Sequence, residues 1–509
     1  MLSPDDHRLA RADEVSLHDL VALPMIPLDV PPSRSYFLGL MRGQGLEPDV
    51  VHSSPSLELV RGLVGQGLGY SLLVTRPPGD VTYEGRRKGG SMADTSRHIA
   101  VIGAGIVGIS VAAFLQRHGL KVTVIDRAAP GMGCSFGNAG GVVVSGVMPT
   151  VYPGIFMKIP GWLIDPEGPL TIRWSYLPKV LPWMLAQGRA AMPDRVAAIT
   201  QSRAMLCGSS LDDHKSLLKE AGAEDLLVLR DGIHLFDRER DYRGHEAVMR
   251  VRAAYGYDCK RLTPGEIGEL EPDVAPDFAC GIFRGGWYHV RNPHTVVTRI
   301  AATVAGHGGT ILQDEVSDFV IDDNHVSGLR LAGGGELDID GVVVAAGAWS
   351  HLWARRLGIK VLLEAERGYH LTIPDPGVSI SRALTRESHP AAISPMDVGL
   401  RVAGTDEFAG LDAPENWRRA EKLWLNARRI LPGLREIDAR VSKWMGRRPG
   451  TPDSLPVIDR APGHANVWFA FGHGHMGLTW GPTTGRLIAC LVAGVAPNSD
   501  LGAFRITRF

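Results

Sequence analysis

Three glycines at fixed spacing, Gly103-x-Gly105-x-x-Gly108, and one acid, Asp126, give this chain the chemistry of a dinucleotide site. Gly103 permits a sharp turn, Gly105 keeps side-chain atoms off a pyrophosphate, and Gly108 lets a helix pack closely on a strand. Asp126 follows at roughly the twenty-residue offset of a carboxylate that accepts from ribose hydroxyls. The elements that must position these groups occur in order. His98–Ile102 is a short apolar β-type run, Ile109, Ala112, Ala113 and Leu115 keep a helical period, and residues 121–125 form a second β-type run ending in Asp126. The helix start would turn its free amides and its dipole toward phosphates. The apolar stretch 99–115 falls short of the ~20 residues that a bilayer requires.

Other chemistries find less support. The five cysteines, at 134, 207, 259, 280 and 490, show no CxxC pair and no zinc spacing. His473 and His475 lie two apart with no acidic neighbour in sequence, so no metal site is expected. The net charge of −1 provides no field for nucleic acid or an anionic membrane, which leaves membrane contact at most peripheral. Hydrophobic content of 44% and charge of 21% suit a protein of two or three domains with large cores. Dispersed thiols and the lack of a leader pattern point to the cytoplasm, with the inner face of the cytoplasmic membrane as the one peripheral option.

About ninety residues precede the glycine turn. Within them Asp29-Val-Pro-Pro-Ser-Arg-Ser-Tyr-Phe37, Gly45-Leu-Glu-Pro48 and Val64-Gly-Gln-Gly-Leu-Gly-Tyr-Ser71 resemble the later part of the effector-binding domain of LysR-type regulators. The resemblance covers less than half of such a domain, so a partial α/β fragment with incompletely covered apolar faces is expected over 1–91. No helix-turn-helix precedes it, so DNA reading in that family's manner is not expected. Lys88-Gly89-Gly90 shortly before Met92 suits a translation start, and Met92 is taken as the natural beginning; a fusion with a vestigial effector domain is the alternative.

Beyond Asp126, residues 131–142 are dense in glycine and pass near a flat or anionic group. Residues 192–221 read as amphipathic helices, 226–229 and 232–236 as short strands, Thr263-Pro264 as a helix start, 292–306 as a helix and 309–316 as one strand, with Val316 placed to meet an adenine ring through its backbone. A strand centred on 342–344 runs into Ala345-Ala-Gly347-Ala348. That second return to the nucleotide crevice favours FAD over a nicotinamide cofactor.

From Arg97 to Phe509 the chain resembles the D-amino-acid oxidase/dehydrogenase superfamily of FAD enzymes, nearest to bacterial D-amino-acid dehydrogenases and D-hydroxyproline-dehydrogenase-like proteins. The motifs are the glycine turn, Ser135-Phe-Gly-Asn138-Ala-Gly140, Ala345-Ala-Gly-Ala-Trp349, Glu366-Arg-Gly-Tyr-His370, Trp444-Met-Gly-Arg-Arg-Pro-Gly-Thr-Pro-Asp-Ser454 and Gly472-His-Gly-His-Met-Gly-Leu-Thr479. The resemblance implies an α/β fold: a Rossmann-like FAD domain from discontinuous segments (97–150, 287–355, 440–509) and a mixed-sheet substrate domain (151–286, 356–439). It implies FAD held by Gly103, Gly105, Gly108, Asp126, Asn138, Gly140, Val316, Gly347, Gly472, Gly477 and Leu478, with a helix start near the flavin from a run over 481–493.

It further implies oxidative deamination of a D-amino acid or cyclic imino acid of the D-proline or D-hydroxyproline type, by hydride transfer from Cα to flavin N5. Electrons would pass to a quinone-linked chain, with O2 the other acceptor. Arg448 matches the arginine that forks onto the substrate carboxylate, and His475 a further polar contact. A tyrosine of glycine-oxidase-like members is missing where Ala391 and Ala392 stand, which makes Tyr369 and His370 candidates for its role. An oxygen-using glycine or sarcosine oxidase and a ligand-sensing regulator are the competing functions.

Overall fold

A computed structural model describes residues 17–29, 37–38, 41, 45–54, 56–72, 97–150, 161, 168, 170–388 and 391–509 of the chain. It divides into two compact units, 1–92 with 495–499, and 93–494 with 500–509. In the first, the Ser56 hydroxyl caps helix Leu57–Gly65 by accepting from the Leu59 amide. Val60 and Val64 of this helix bury against Ile26, while Leu20, Met25, Met41 and Tyr70 form a second small cluster. Val51, Leu59 and Leu68 stay exposed. The stretch Pro31–Tyr36, within the Asp29–Phe37 motif, and the run 86–92 lie outside the described residues.

The larger unit is built on two sheets. The first has six strands in the order Thr310–Gln313, Lys121–Asp126, His98–Ile102, Gly341–Val344, Val467–Phe471 and Val457–Arg460. The first five run parallel, and the last returns antiparallel. Ile99, Val101, Val342, Val343 and Phe469 are fully buried, as a parallel sheet covered on both faces demands. Helices Ile106–Arg117 and Gly477–Ala493 cover one face. They approach closely because Gly485 presents no Cβ, which would stand 2.6 Å from the Ser110 backbone.

The expected strand over 309–316 is two strands. One ends at Gln313, and Val316–Asp322 opens a three-stranded antiparallel meander. Asp314 makes the corner: its amide donates to the Asp126 carbonyl (3.0 Å) and its carboxylate accepts from the Glu315 amide (2.7 Å).

The second sheet runs in the order Ser442–Gly450, Glu364–Ile373, Gly399–Phe408, Ala392–Met396, Ala383–Arg386, Gly232–Phe236, Cys280–Arg284, Cys259–Leu262, and Leu170–Ile172 also pairs with Gly399–Phe408. Parallel and antiparallel pairs both occur. Helix Arg418–Ile430 covers one of its faces, where Leu423, Ala427 and Ile430 pack with Tyr369, Leu371 and Ile393. Residues 193–220 form one long helix rather than several. Thr263 and Glu266 close a capping box, and Asn292 caps helix Pro293–Gly306. Among the described residues no helix is long and apolar enough to cross a membrane.

Candidate active site

The first strand–turn–helix lays out one end of the site. Gly103 adopts φ +112°, and a Cβ there would lie 2.4 Å from the Ala345 carbonyl oxygen. A Cβ on Gly108 would lie 1.9 Å from the Gly103 carbonyl oxygen. Gly103, Gly105, Ile106 and Val107 line a cavity of about 1120 Å³, at a helix start whose first-turn amides lack intrahelical acceptors. Ser135 accepts from the Ile106 amide (3.0 Å) and ties the 131–142 loop to this turn.

Asp126 also lines the cavity, but its carboxylate is already engaged. It accepts from the amides of Ala104 (2.8 Å) and Ala128 (3.0 Å), so it orders the turn as well as offering its remaining lone pairs to a ribose. Asn138, Val316, Gly347, Gly477 and Leu478 line the same cavity. Gly108, Gly140 and Gly472 stand behind its wall, where absent Cβ atoms make room for Gly103, His289 and Thr451 respectively.

The helix expected over 481–493 begins four residues earlier, at Gly477, so Leu478 sits in its first turn. Pro482 within it has no N–H to bond the Leu478 carbonyl. The ring Nε2 of His214 fills that place at 2.7 Å. Burial draws His214 down to about 4, so the ring is neutral and its proton sits on Nε2.

The second sheet supplies the other wall. Glu366, Gly368 and His370 of Glu364–Ile373 face the cavity side, and Arg367, Tyr369 and Leu371 face helix Arg418–Ile430. Arg448, Asp406 and His475 line the cavity. Arg448 pairs with Asp406, and its guanidinium lies over Gly368, where a Cβ would meet it at 2.1 Å. His475 Nε2 stands 3.3 Å from the Glu366 carboxylate. The structure therefore brings Arg448 and His475 together through two acids, Glu366, which opens the Glu366–His370 motif without a role there, and Asp406, which lies in no motif; carboxylate oxygens of both and a nitrogen of His475 lie within 4.8 Å of one another.

Tyr369 lines the cavity as well, but not with its phenol. Its phenol is on the opposite face, 1% exposed, donating to Glu407 (2.6 Å) and accepting from the Asn416 amide (2.9 Å). His370 is on the cavity side, stacked on Trp444 at 5.0 Å, with Nδ1 3.1 Å from the Gly137 carbonyl. The two histidines of the 472–479 motif diverge. His473 is buried against Thr484 (2.8 Å), and His475 is 41% exposed. Ala392 and Ala403 pair across strands on the cavity floor.

Burial draws His370 and His473 down to about 3. Each of these imidazoles, like His214, is harder to protonate folded than its ordinary 6.5. The unfolded chain therefore takes up the proton first as the pH falls. Their stabilising contribution, at most about 3 kcal/mol for His214 and about 5 kcal/mol for each of His370 and His473, is complete above about 6.5 and is lost toward pH 3–4. Urea midpoints should be level from pH 8 to 7 and decline below 6.5, less steeply in His473→Gln.

A sequence profile of FAD-dependent oxidoreductases, the DAO family, matches residues 98–491, and one of the LysR substrate-binding domain matches 1–76. The chain belongs to the DAO family and is an FAD-dependent oxidoreductase. It is 36% identical over 421 residues to a D-amino-acid oxidase of Bradyrhizobium diazoefficiens, covering 81% of this chain and 99% of that protein. It is 30% identical to a D-amino acid dehydrogenase of Paramagnetospirillum magneticum, covering 81% and 98%. The fold is shared with glycine oxidase from Geobacillus kaustophilus, at TM-score 0.63 and 21% identity, covering 81% of this chain and all of that one.

Proposed function

We propose that the enzyme oxidises a D-amino acid or cyclic imino acid to an imine that hydrolyses to a keto acid. The observation that carries this reading is the placement of Arg448, held over a bare glycine in the same cavity that the Gly103 turn and the Gly477 helix start enter. Bound FAD would supply the two-electron acceptor for the hydride leaving Cα. Gly103 and Gly105 would let its pyrophosphate approach the turn and the helix start, Asp126 would hold its ribose, and the Gly477 helix start would offer positive potential to its ring system.

The remaining work falls to this chain's own residues. Arg448 forks onto the substrate carboxylate, with Asp406 as its resting partner. The stacked pair His370–Trp444 forms a flat neutral wall, and the imidazole kept uncharged by burial adds no cation beside the substrate's amine. Ala392 and Ala403 leave space for a side chain larger than that of glycine. The names of both curated relatives support a D-amino acid.

We take a quinone-type carrier as the preferred acceptor. Turnover of D-alanine, D-proline and D-hydroxyproline with a soluble quinone analogue should exceed turnover with air alone, and stoichiometric peroxide in air would favour an oxidase. Gly368→Ala should push the guanidinium aside. The expected result is a KM raised about tenfold, the loss of part of a charge-assisted contact, with flavin content unchanged; steady-state kinetics on purified protein checks it.

A further inference from the structure

Across the second sheet, one row of facing residues runs Trp444, His370, Ala403, Ala392, Thr385 and His234, each paired with the next in register. Directly opposed residues share a face, so the row is a continuous floor. It is aromatic at the Arg448 end, bare at Ala403 and Ala392, and polar at the far end. There Arg284, on the same face, reaches Thr385 and lies 3.3 Å from His234 Nδ1. Arg284 and Trp287 line the cavity, the guanidinium 5.1 Å from the indole centroid, and Arg252 lines it as well.

Three donors on this wall have no acceptor among the described residues: Nε of Arg284, Nε of Arg252 and Nε1 of Trp287, all buried. The neighbouring acid, Glu387, is shared between His234 (3.4 Å) and His245 (3.5 Å). Arg252 faces the Cys259 thiol and adds like charge to Arg284. Burial and that repulsion draw Arg284 down to about 9. Arg448, by contrast, has a carboxylate of its own in Asp406.

We propose that Arg284, with Arg252 and the Trp287 N–H, binds a second anionic group of the substrate, so that the preferred substrate is an amino or imino acid with a distal carboxylate. The Arg448 guanidinium lies over Gly368 and that of Arg284 reaches Thr385, three strands away, roughly 14 Å. An extended acidic amino acid spans about 7 Å between its outer carboxylate oxygens, and a contact of about 2.8 Å at each end brings the reach to about 13 Å, so the distal acid is that of glutamate or a longer homologue. The small residues between leave its chain unobstructed.

The inference rests on the amino-acid reading above, and its test separates the two. Anaerobic flavin reduction is measured with D-alanine, D-glutamate and the isosteric, neutral D-glutamine. The proposal expects kcat/KM for D-glutamate to exceed that for D-glutamine at least tenfold. Arg284→Met should collapse that ratio toward one, and Arg284→Lys should retain part of it. Reduction by D-alanine with D-glutamate no better than D-glutamine overturns the proposal alone, as does a ratio unmoved in Arg284→Met. Loss of flavin, rather than of the ratio, in both folded variants assigns the arginine to the cofactor and also overturns it. If no amino acid reduces the flavin, the underlying reading fails as well.

Discussion

Arg448→Met is expected to lower kcat/KM for the amino-acid substrate by about 10³-fold, a loss of about 4 kcal/mol, while the purified protein stays yellow. The magnitude has two parts. The substrate carboxylate loses a charge-assisted fork, and Asp406 is left without its partner, turning an attractive wall repulsive. KM should carry most of the change. Arg448→Lys keeps the charge but cannot present two parallel donors, so it should fall between the variants. Unchanged kinetics in Arg448→Met would remove this residue from substrate binding.

The second large effect concerns the cofactor end. Gly108→Val should leave less than about a tenth of the wild-type flavin in purified protein, with a lowered Tm, because overpacking here forces main chain to move. Even the first added carbon would stand 1.9 Å from the Gly103 carbonyl oxygen, with the Ala345 methyl 3.4 Å away. Neither neighbour is the end of a flexible side chain. A variant retaining full flavin and wild-type Tm would show that this turn does not set the cofactor site.

These two residues were legible for different reasons. The glycine turn is local: its constraints act over a few residues, so spacing alone exposes Gly103, Gly105, Gly108 and the strands around them. Arg448 was accessible because it sits in a distinctive short motif. Asp406 and Arg284 were not, and Glu366 stood in a motif without a role, since each acquires its meaning from a strand far away in sequence: Asp406 pairs with Gly368, Glu366 with Arg448, and Arg284 reaches Thr385. The strand's pleat turns the Tyr369 phenol away from the cavity: one residue along from Gly368, the side chain crosses to the face packed by helix Arg418–Ile430.

The start of the last helix was misread for a related reason. Pro482 stands one residue inside the expected start at 481. In the fold His214, more than 260 residues earlier, bonds the carbonyl that the proline frees, and the helix continues back to Gly477. The three-stranded meander was hidden because 309–316 reads as one strand, and the Asp314–Glu315 corner that divides it is held by a hydrogen bond to Asp126, far away in sequence.

Stopped-flow reduction of the bound flavin under anaerobic conditions tests the central claim most directly. The substrates are D-alanine, D-alanine deuterated at Cα, and L-alanine, each with wild-type protein and with Arg448→Met. The account predicts bleaching by the D-isomer, slower bleaching by its deuterated form, and a steep rise in the half-saturating concentration for the variant. A flavin that no amino acid bleaches, or that L-alanine reduces as readily as D-alanine, would contradict it.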